Sequence, residues 1–166
     1  MSTRRRAVVG SIALAFATAG CGGGDDTKTV TAVDYRFETL PSSVKAGTAL
    51  RLVNKSTTEL HEMVVMRIPD EERRSIDELA KLPESEFETV FGGKPALVIL
   101  RAPGGEQVNA LGDGKLTEKG RYAVICAIPT GADPAAYLAN TSDGPPQVAG
   151  GPPHFIHGMY GQITVK

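Results

Sequence analysis

Four residues of this chain carry side chains that bind soft metal ions. Cys126 ends the apolar run RYAVIC, and His154 and Met159 lie five positions apart in the closing stretch PPHFIHGMYGQITVK. His61 begins another apolar run, HEMVVMRI. A thiolate, two imidazoles and a thioether are ligands that copper selects over hard oxygen donors. The sequence therefore predicts a copper site, provided that the fold brings these distant residues together.

Each of these residues also has an ordinary structural interpretation. A lone Cys126 is more often a small buried hydrophobic residue, and Met159 alone is usually part of a core. His157 lies two positions before Met159 and offers a second imidazole in the same stretch. It is an alternative ligand, or an exposed ring on which a partner docks, but the five-residue spacing favours His154.

The N-terminus carries a predicted export signal. Three consecutive arginines at positions 4–6 precede the apolar run 7–17, which is too short to span a bilayer as an ordinary transmembrane helix. The run leads into TAGC, which ends at Cys21 and resembles a bacterial lipobox with threonine in place of the usual leucine. We expect residues 1–20 to be a lipoprotein-type signal peptide and Cys21 to be lipidated. The general secretory route is favoured over the twin-arginine route.

The predicted domain organisation follows from this signal. Residues 21–28 suit a flexible tether, because they are small and polar, and residues 29–166 are expected to form one domain. The predicted location is the bacterial cell envelope, with the lipid anchoring the domain to the extracytoplasmic face of the membrane. The whole chain has a net charge of −1, and cleavage removes three arginines and no acidic residue. Nucleic-acid binding and a polybasic membrane patch are therefore not indicated.

The segments that must position the candidate ligands are predicted to be short strands. Period-two alternation or a short apolar run, bounded by turn residues, predicts strands at 29–38, 48–54, 61–68, 96–100, 108–111, 121–126 and 162–166. In the first of them, Val33, Tyr35 and Phe37 share one face. In the strand that ends at Cys126, that residue lies on the same face as Val124. This pattern indicates an all-β chain folded as an antiparallel β-sandwich.

Two short helices are predicted as additions to the sandwich. Ser75 and Glu78 form a capping box for a helix that ends before Pro83. Asp133 is a predicted N-cap for a helix over 134–139, with proline at its first position. No phosphate-binding glycine loop, nucleophile elbow or zinc-protease motif is present in the sequence. The chain is therefore expected not to be an enzyme.

The order of these motifs resembles the cupredoxin family, the blue copper proteins such as plastocyanin. A PSSVKAGT turn, a histidine-headed strand and a GRYAVIC strand followed by Pro-His-x4-Met-x-Gly carry the resemblance, which covers most of residues 29–166. It implies a Greek-key sandwich and one type 1 copper ion held by His61, Cys126, His154 and Met159. The chain departs from the family in the long segment between the second and third of these ligands. An inserted flap would explain it, since loop-closure entropy grows slowly with length.

The resemblance implies a membrane-anchored carrier of single electrons that works with a redox protein partner. Two alternatives remain open. One is a chaperone or buffer that binds Cu(I) and exchanges copper with a protein partner, where Met63 or Met66 could add a thioether ligand. The other is a metal-free cupredoxin-like binding module of the envelope.

Overall fold

Two β-sheets packed face to face form the body of the protein in the computed structural model, which describes residues 26–141 and 146–166. The strands are β1 (Thr27–Val33), β2 (Arg36–Phe37), β3 (Ser43–Val44), β4 (Thr48–Asn54), β5 (His61–Arg67), β6 (Leu97–Arg101), β7 (Gln107–Leu111), β8 (Lys115–Leu116), β9 (Gly120–Ile125) and β10 (Tyr160–Val165). One sheet has the order β2-β1-β4-β8, and the other β3-β10-β9-β5-β6-β7. The predicted β-sandwich is confirmed.

Apolar side chains from both sheets fill the space between them. Leu52 of β4 meets Met63 of β5, Val124 of β9 and Ile163 of β10 in one cluster, and all four are fully buried. Inward and outward residues alternate along these strands, as the period of two requires. Burial of this apolar surface is the main source of stability that holds the two sheets together.

Two strand pairs are parallel, which the prediction of an antiparallel sandwich did not include. β1 pairs with β4 and β3 pairs with β10 in the same direction, whereas the other strand pairs are antiparallel. After β2 the chain leaves the four-stranded sheet, adds β3 to the edge of the other sheet and returns as β4. This crossover places β4 beside β1 with the same orientation.

The predicted strand at 29–38 is wrong in its extent. β1 ends at Val33, and the chain reverses so that β2 pairs back on β1 with Ala32 opposite Phe37. Tyr35 lies in this turn with φ of +62°, a left-handed backbone that is rare outside glycine. Val30 and Ala32 face the core, not Val33. Period-two alternation continues through a two-residue turn, so the pattern alone does not reveal the reversal.

Three α-helices lie outside the sandwich in the described part of the chain: α1 (Ile76–Leu79), α2 (Glu84–Phe91) and α3 (Pro134–Ala139). The capping box of α1 and the Asp133 cap of α3 are both present, which confirms these two predicted helices. α2 was not predicted. With α1 it covers the outer face of the six-stranded sheet, where Leu79 and Phe91 pack against Met66 and Ile125.

The predicted signal peptide and Cys21 lie outside the described residues, as does most of the predicted tether. Thr27 and Lys28 belong to β1, where they pair with Ala49 and Leu50 of β4, so the tether prediction extends two residues too far. Within residues 26–141 and 146–166, we find no helix with the length and apolar character needed to cross a membrane.

Candidate metal centre

Three of the predicted ligands meet at one end of the sandwich. One ligand atom each of His61, Cys126 and His154 lies within 4.8 Å of the others, and all three side chains are buried. His61 begins β5, Cys126 directly follows β9, and His154 begins a 3-10 turn over His154–His157. β5 and β9 are neighbouring antiparallel strands, so their ends bring the first two residues together. We call these three residues the ligand cluster.

The His61 ring is buried without a hydrogen-bond partner. It points into the sandwich like Met63 and Val65 on the same strand, and neither Nδ1 nor Nε2 has a partner among the described residues. A buried polar atom left unpaired costs about 1–3 kcal/mol. Burial, aided by the nearby His154, lowers the pKa of His61 to about 4. The imidazole is therefore neutral at physiological pH, which is the form that binds metals.

The Cys126 thiol lies between the two histidines and the backbone of β5. Its Sγ accepts a hydrogen bond from the Glu62 backbone N–H at 3.4 Å and lies 3.3 Å from His154 Nδ1. Burial raises the pKa of the Cys126 thiol, and the negative charge of Glu62 raises this pKa further. A cation in the cluster would reverse this preference, because a coordinating thiol loses its proton.

The two nitrogens of His154 face different partners. Nδ1 faces Cys126, whereas Nε2 lies 3.2 Å from Oε2 of Glu59. Burial lowers the pKa of His154, and the Glu59 carboxylate opposes this shift. A proton on Nε2 that is donated to Glu59 leaves the Nδ1 lone pair directed at the ligand cluster. Metal-binding histidines commonly donate their second N–H to a carboxylate in this way.

Met159 and His157 differ in their relation to the ligand cluster. Met159 is fully buried in the same core as Cys126; its N–H donates to the His154 carbonyl at 3.2 Å and its carbonyl accepts from the Cys126 N–H at 3.1 Å. Its role as a thioether ligand stays a prediction. His157 is exposed, lies outside the ligand cluster and has its ring 5.2 Å from that of Tyr35.

The long segment between Cys126 and His154, residues 127–153, is closed at its base. Pro129 and Pro153 form an antiparallel bridge, and the His154 N–H donates to the Ile128 carbonyl at 3.0 Å. These contacts place His154 beside Cys126, and they do not depend on the number of residues between Pro129 and Pro153. The departure in spacing from the cupredoxin pattern therefore does not separate the two ligands. We call residues 127–153 the inserted segment.

Sequence reasoning missed the residues that support the cluster. Glu59 is one, and Asn54 is another, because its side-chain amide donates to the carbonyls of Glu59 and Arg101 at 2.8 Å each and its oxygen accepts from the Ser56 N–H. Asn54 therefore fixes the turn that leads into His61. The polar residues at 54–58 indicate a turn, but turn chemistry does not show which carbonyls an asparagine will reach.

Tyr35 is a further residue that the sequence did not reveal. Its ring contacts the His154 ring edge-on, with centroids 5.1 Å apart. The left-handed turn at Tyr35 places the ring there, whereas the predicted continuous strand would have directed it elsewhere. No local pattern in the sequence indicates a tyrosine in this conformation.

The geometry and chemistry of the cluster fit a type 1 copper site. Two imidazoles and one cysteine sulfur form the trigonal donor set of such sites, with a weak axial thioether as the usual fourth contact. A second observation also fits a metal site. Both ring nitrogens of His61 are buried without a hydrogen-bond partner among the described residues, so a nitrogen lone pair there is available to a metal ion.

Comparisons with known proteins identify structural neighbours only. No protein-family profile and no curated protein sequence matches the chain. Reduced auracyanin from the photosynthetic bacterium Roseiflexus castenholzii is 18% identical, with a TM-score of 0.49 over 87% of this chain and 99% of that chain. Auracyanin A, a "blue" copper protein from Chloroflexus aurantiacus, is 16% identical, with a TM-score of 0.46 over 86% and 100%. Auracyanin B is 19% identical, with a TM-score of 0.40 over 85% and 88%.

Proposed function

We propose that this protein is a membrane-anchored carrier of single electrons that holds one type 1 copper ion. The observation that carries the proposal is the buried cluster of His61, Cys126 and His154, in which both His61 nitrogens lack a partner. His61 and His154 would hold the ion through imidazole nitrogen and Cys126 through its thiolate, with Met159 as the predicted thioether contact. Copper, when bound, supplies a one-electron couple between Cu(I) and Cu(II).

The protein's own contribution is to fix the positions of these side chains and to exclude water from them. Neighbouring strands β5 and β9 set the separation of His61 and Cys126, and Glu59 holds the His154 ring from its far side. The Glu62 N–H donates to the Cys126 sulfur, which stabilises negative charge on it. All three ligand side chains are fully buried, so water does not compete for their positions. Such rigidity suits electron transfer, because little rearrangement accompanies it.

The decisive experiment is the visible absorption spectrum and metal content of the purified full chain after treatment with Cu(II). We expect one bound copper and an intense thiolate-to-copper band. Cys126→Ser and His154→Gln should abolish the band. His157→Gln is the matched control, because it changes the exposed histidine of the same turn, and it should leave the band in place. A colourless protein without bound copper would refute the proposal, and tight Cu(I) binding without a coloured Cu(II) form would favour copper delivery instead.

Membrane anchoring is part of the proposal and rests on the sequence before residue 26. The lipobox-like TAGC ending at Cys21 supports it. Incorporation of a labelled fatty acid in a bacterial host, and its loss in Cys21→Ala, tests this part independently of copper. A Cys21→Ala protein that remains in the membrane fraction with the wild-type label would contradict it. The partner we propose is a redox protein of the same envelope compartment.

A further inference from the structure

Described residues of the inserted segment, from 127–141 and 146–148, cover a cavity on the outer face of the six-stranded sheet. The floor of the cavity is formed by outward-facing residues of β5 and β6, among them Val64, Val98 and Leu100. Pro129 and Tyr137 of the inserted segment line it from the other side. Its volume is about 580 Å³, within the range of cavities that hold small molecules. The ligand cluster lies on the opposite face of β5, because His61 and Met63 point inward.

One buried carboxyl group interrupts this otherwise largely apolar lining. Glu62 is 3% exposed and lines the cavity. Its Oε1 accepts from the Ala127 N–H at 3.1 Å, and its Oε2 accepts from the Tyr137 hydroxyl at 3.3 Å. A carboxylate has about four acceptor positions, so both oxygens can accept a further hydrogen bond. No basic side chain of the described residues forms an ion pair with Glu62.

The charges around the cavity restrict the kind of ligand. The largely apolar lining disfavours a charged ligand, because an ion that leaves water loses its solvation, and an ionised Glu62 at the floor would also repel an anion. Exposed Lys94 also lines the cavity, and its positive charge disfavours a cation there. The apolar walls favour rings, because each buried apolar surface contributes to binding in proportion to its area. An uncharged ring compound with one hydrogen-bond donor satisfies all three conditions.

We propose that this cavity binds a small uncharged aromatic alcohol, with its ring against Val64 and Leu100 and its hydroxyl donating to Glu62. The site is separate from the ligand cluster and does not require copper. Pro129 and Tyr137 of the inserted segment complete the site above the sheet, which gives them a role beyond connecting the two candidate metal ligands.

The proposal can be tested on the copper-free full chain with a matched pair of probes. 1-Naphthol carries the ring and the donor, whereas 1-methoxynaphthalene carries the ring without the donor. In a titration followed by backbone amide NMR, 1-naphthol should bind saturably and shift the signals of Glu62, Val64, Leu100 and Ala127. 1-Methoxynaphthalene should bind about 10-fold more weakly, the loss expected for one hydrogen bond.

Two matched variants locate the site. Val64→Phe narrows the cavity and should weaken 1-naphthol binding by at least about 10-fold. Val53→Phe makes the same change at a half-buried position of β4, in the other sheet, that does not line the cavity, and should bind as the wild type does. Absence of saturable binding at millimolar 1-naphthol would overturn the proposal, as would signal shifts confined to other regions of the wild-type protein. Equal binding of both probes would overturn the hydroxyl recognition. The wild-type shifts decide the question even if Val64→Phe fails to fold.

Discussion

Glu59 Oε2 lies 3.2 Å from His154 Nε2, on the side of the ring opposite the Nδ1 atom that faces Cys126. The same oxygen accepts the Gly131 N–H at 3.1 Å, and the Glu59 side chain is only 13% exposed. This carboxylate therefore joins the turn before β5, the inserted segment and a candidate metal ligand. It holds the His154 ring in one orientation and one tautomer.

Replacing Glu59 should leave the His154 ring without the hydrogen bond that fixes its orientation and its tautomer. We expect Glu59→Ala to lower copper affinity by about 10–100-fold, the usual effect of removing such a supporting carboxylate. Glu59→Gln should lose less, because its amide oxygen still accepts a hydrogen bond. Nitrogen-15 NMR of the copper-free protein should show His154 protonated at Nε2 in the wild type and a mixture of tautomers in Glu59→Ala. Glu88→Ala, on the exposed surface of α2, is the control; unchanged affinity and tautomer in Glu59→Ala would contradict the assignment.

His61 should make the copper-free protein less stable in acid. Burial holds its folded pKa at about 4, below its ordinary 6.5, so the unfolded state binds the proton first as pH falls through this interval. Stability from this group is present above pH 6.5 and is lost towards pH 4, by about 3 kcal/mol in all. The expected result is that His61→Gln, measured by urea unfolding, gains about 2 kcal/mol relative to the wild type between pH 6.5 and 4.5, which is the part of the total that falls in this interval.

Glu62 should change the free energy of unfolding in the opposite direction from His61 over nearly the same pH interval. Burial raises its pKa to about 7 from its ordinary 4.5, so the folded state binds the proton first and its stability rises as pH falls from 7 to 4.5. Relative to the wild type, Glu62→Gln should therefore lose about 3 kcal/mol over that interval. Urea unfolding of both variants at four or five pH values separates the two groups. Parallel pH profiles for His61→Gln, Glu62→Gln and the wild type would show that neither group titrates as described.

Asn54 should contribute to stability through three hydrogen bonds made by one side chain. Asn54→Ala leaves the carbonyls of Glu59 and Arg101 without these donors, and we expect the free energy of unfolding to fall by about 2 kcal/mol. Asn109→Ala, at an exposed position of β7, should change it by less than about 0.5 kcal/mol. Chemical denaturation measures both. Equal losses in the two variants would rule out the proposed role of Asn54.

Two substitutions at Tyr35 separate the stability cost of its left-handed backbone from the stability contributed by its ring contact with His154. Tyr35→Ala and Tyr35→Gly both remove the ring that packs on His154, but only glycine adopts φ of +62° without strain. Thermal or chemical unfolding should therefore find Tyr35→Gly more stable than Tyr35→Ala by about 1 kcal/mol. If alanine is tolerated as well as glycine, the left-handed turn is not a source of strain.

The pattern of residues along the sequence predicted those structural features that depend on local periodicity and on helix capping. The inward face of Cys126 followed from alternation along its strand, and the start of α1 followed from Ser75 and Glu78. The meeting of His61 with Cys126 depends on the pairing of β5 with β9, which no local pattern encodes; it was anticipated only through the family resemblance. Glu59 was missed for the same reason, since its partners lie 72 and 95 positions away in sequence.

The bridge between Pro129 and Pro153 makes the length of the chain between them irrelevant to the spacing of Cys126 and His154. The segment beyond that bridge is in effect an exchangeable module. A change in its length would leave the ends of β9 and β10 in register, because the bridge and the pairing of these strands do not depend on that length. A protein built in this way can acquire a new surface or a new cavity within a few residues of the Cys126 sulfur, without rebuilding the side chains that surround it.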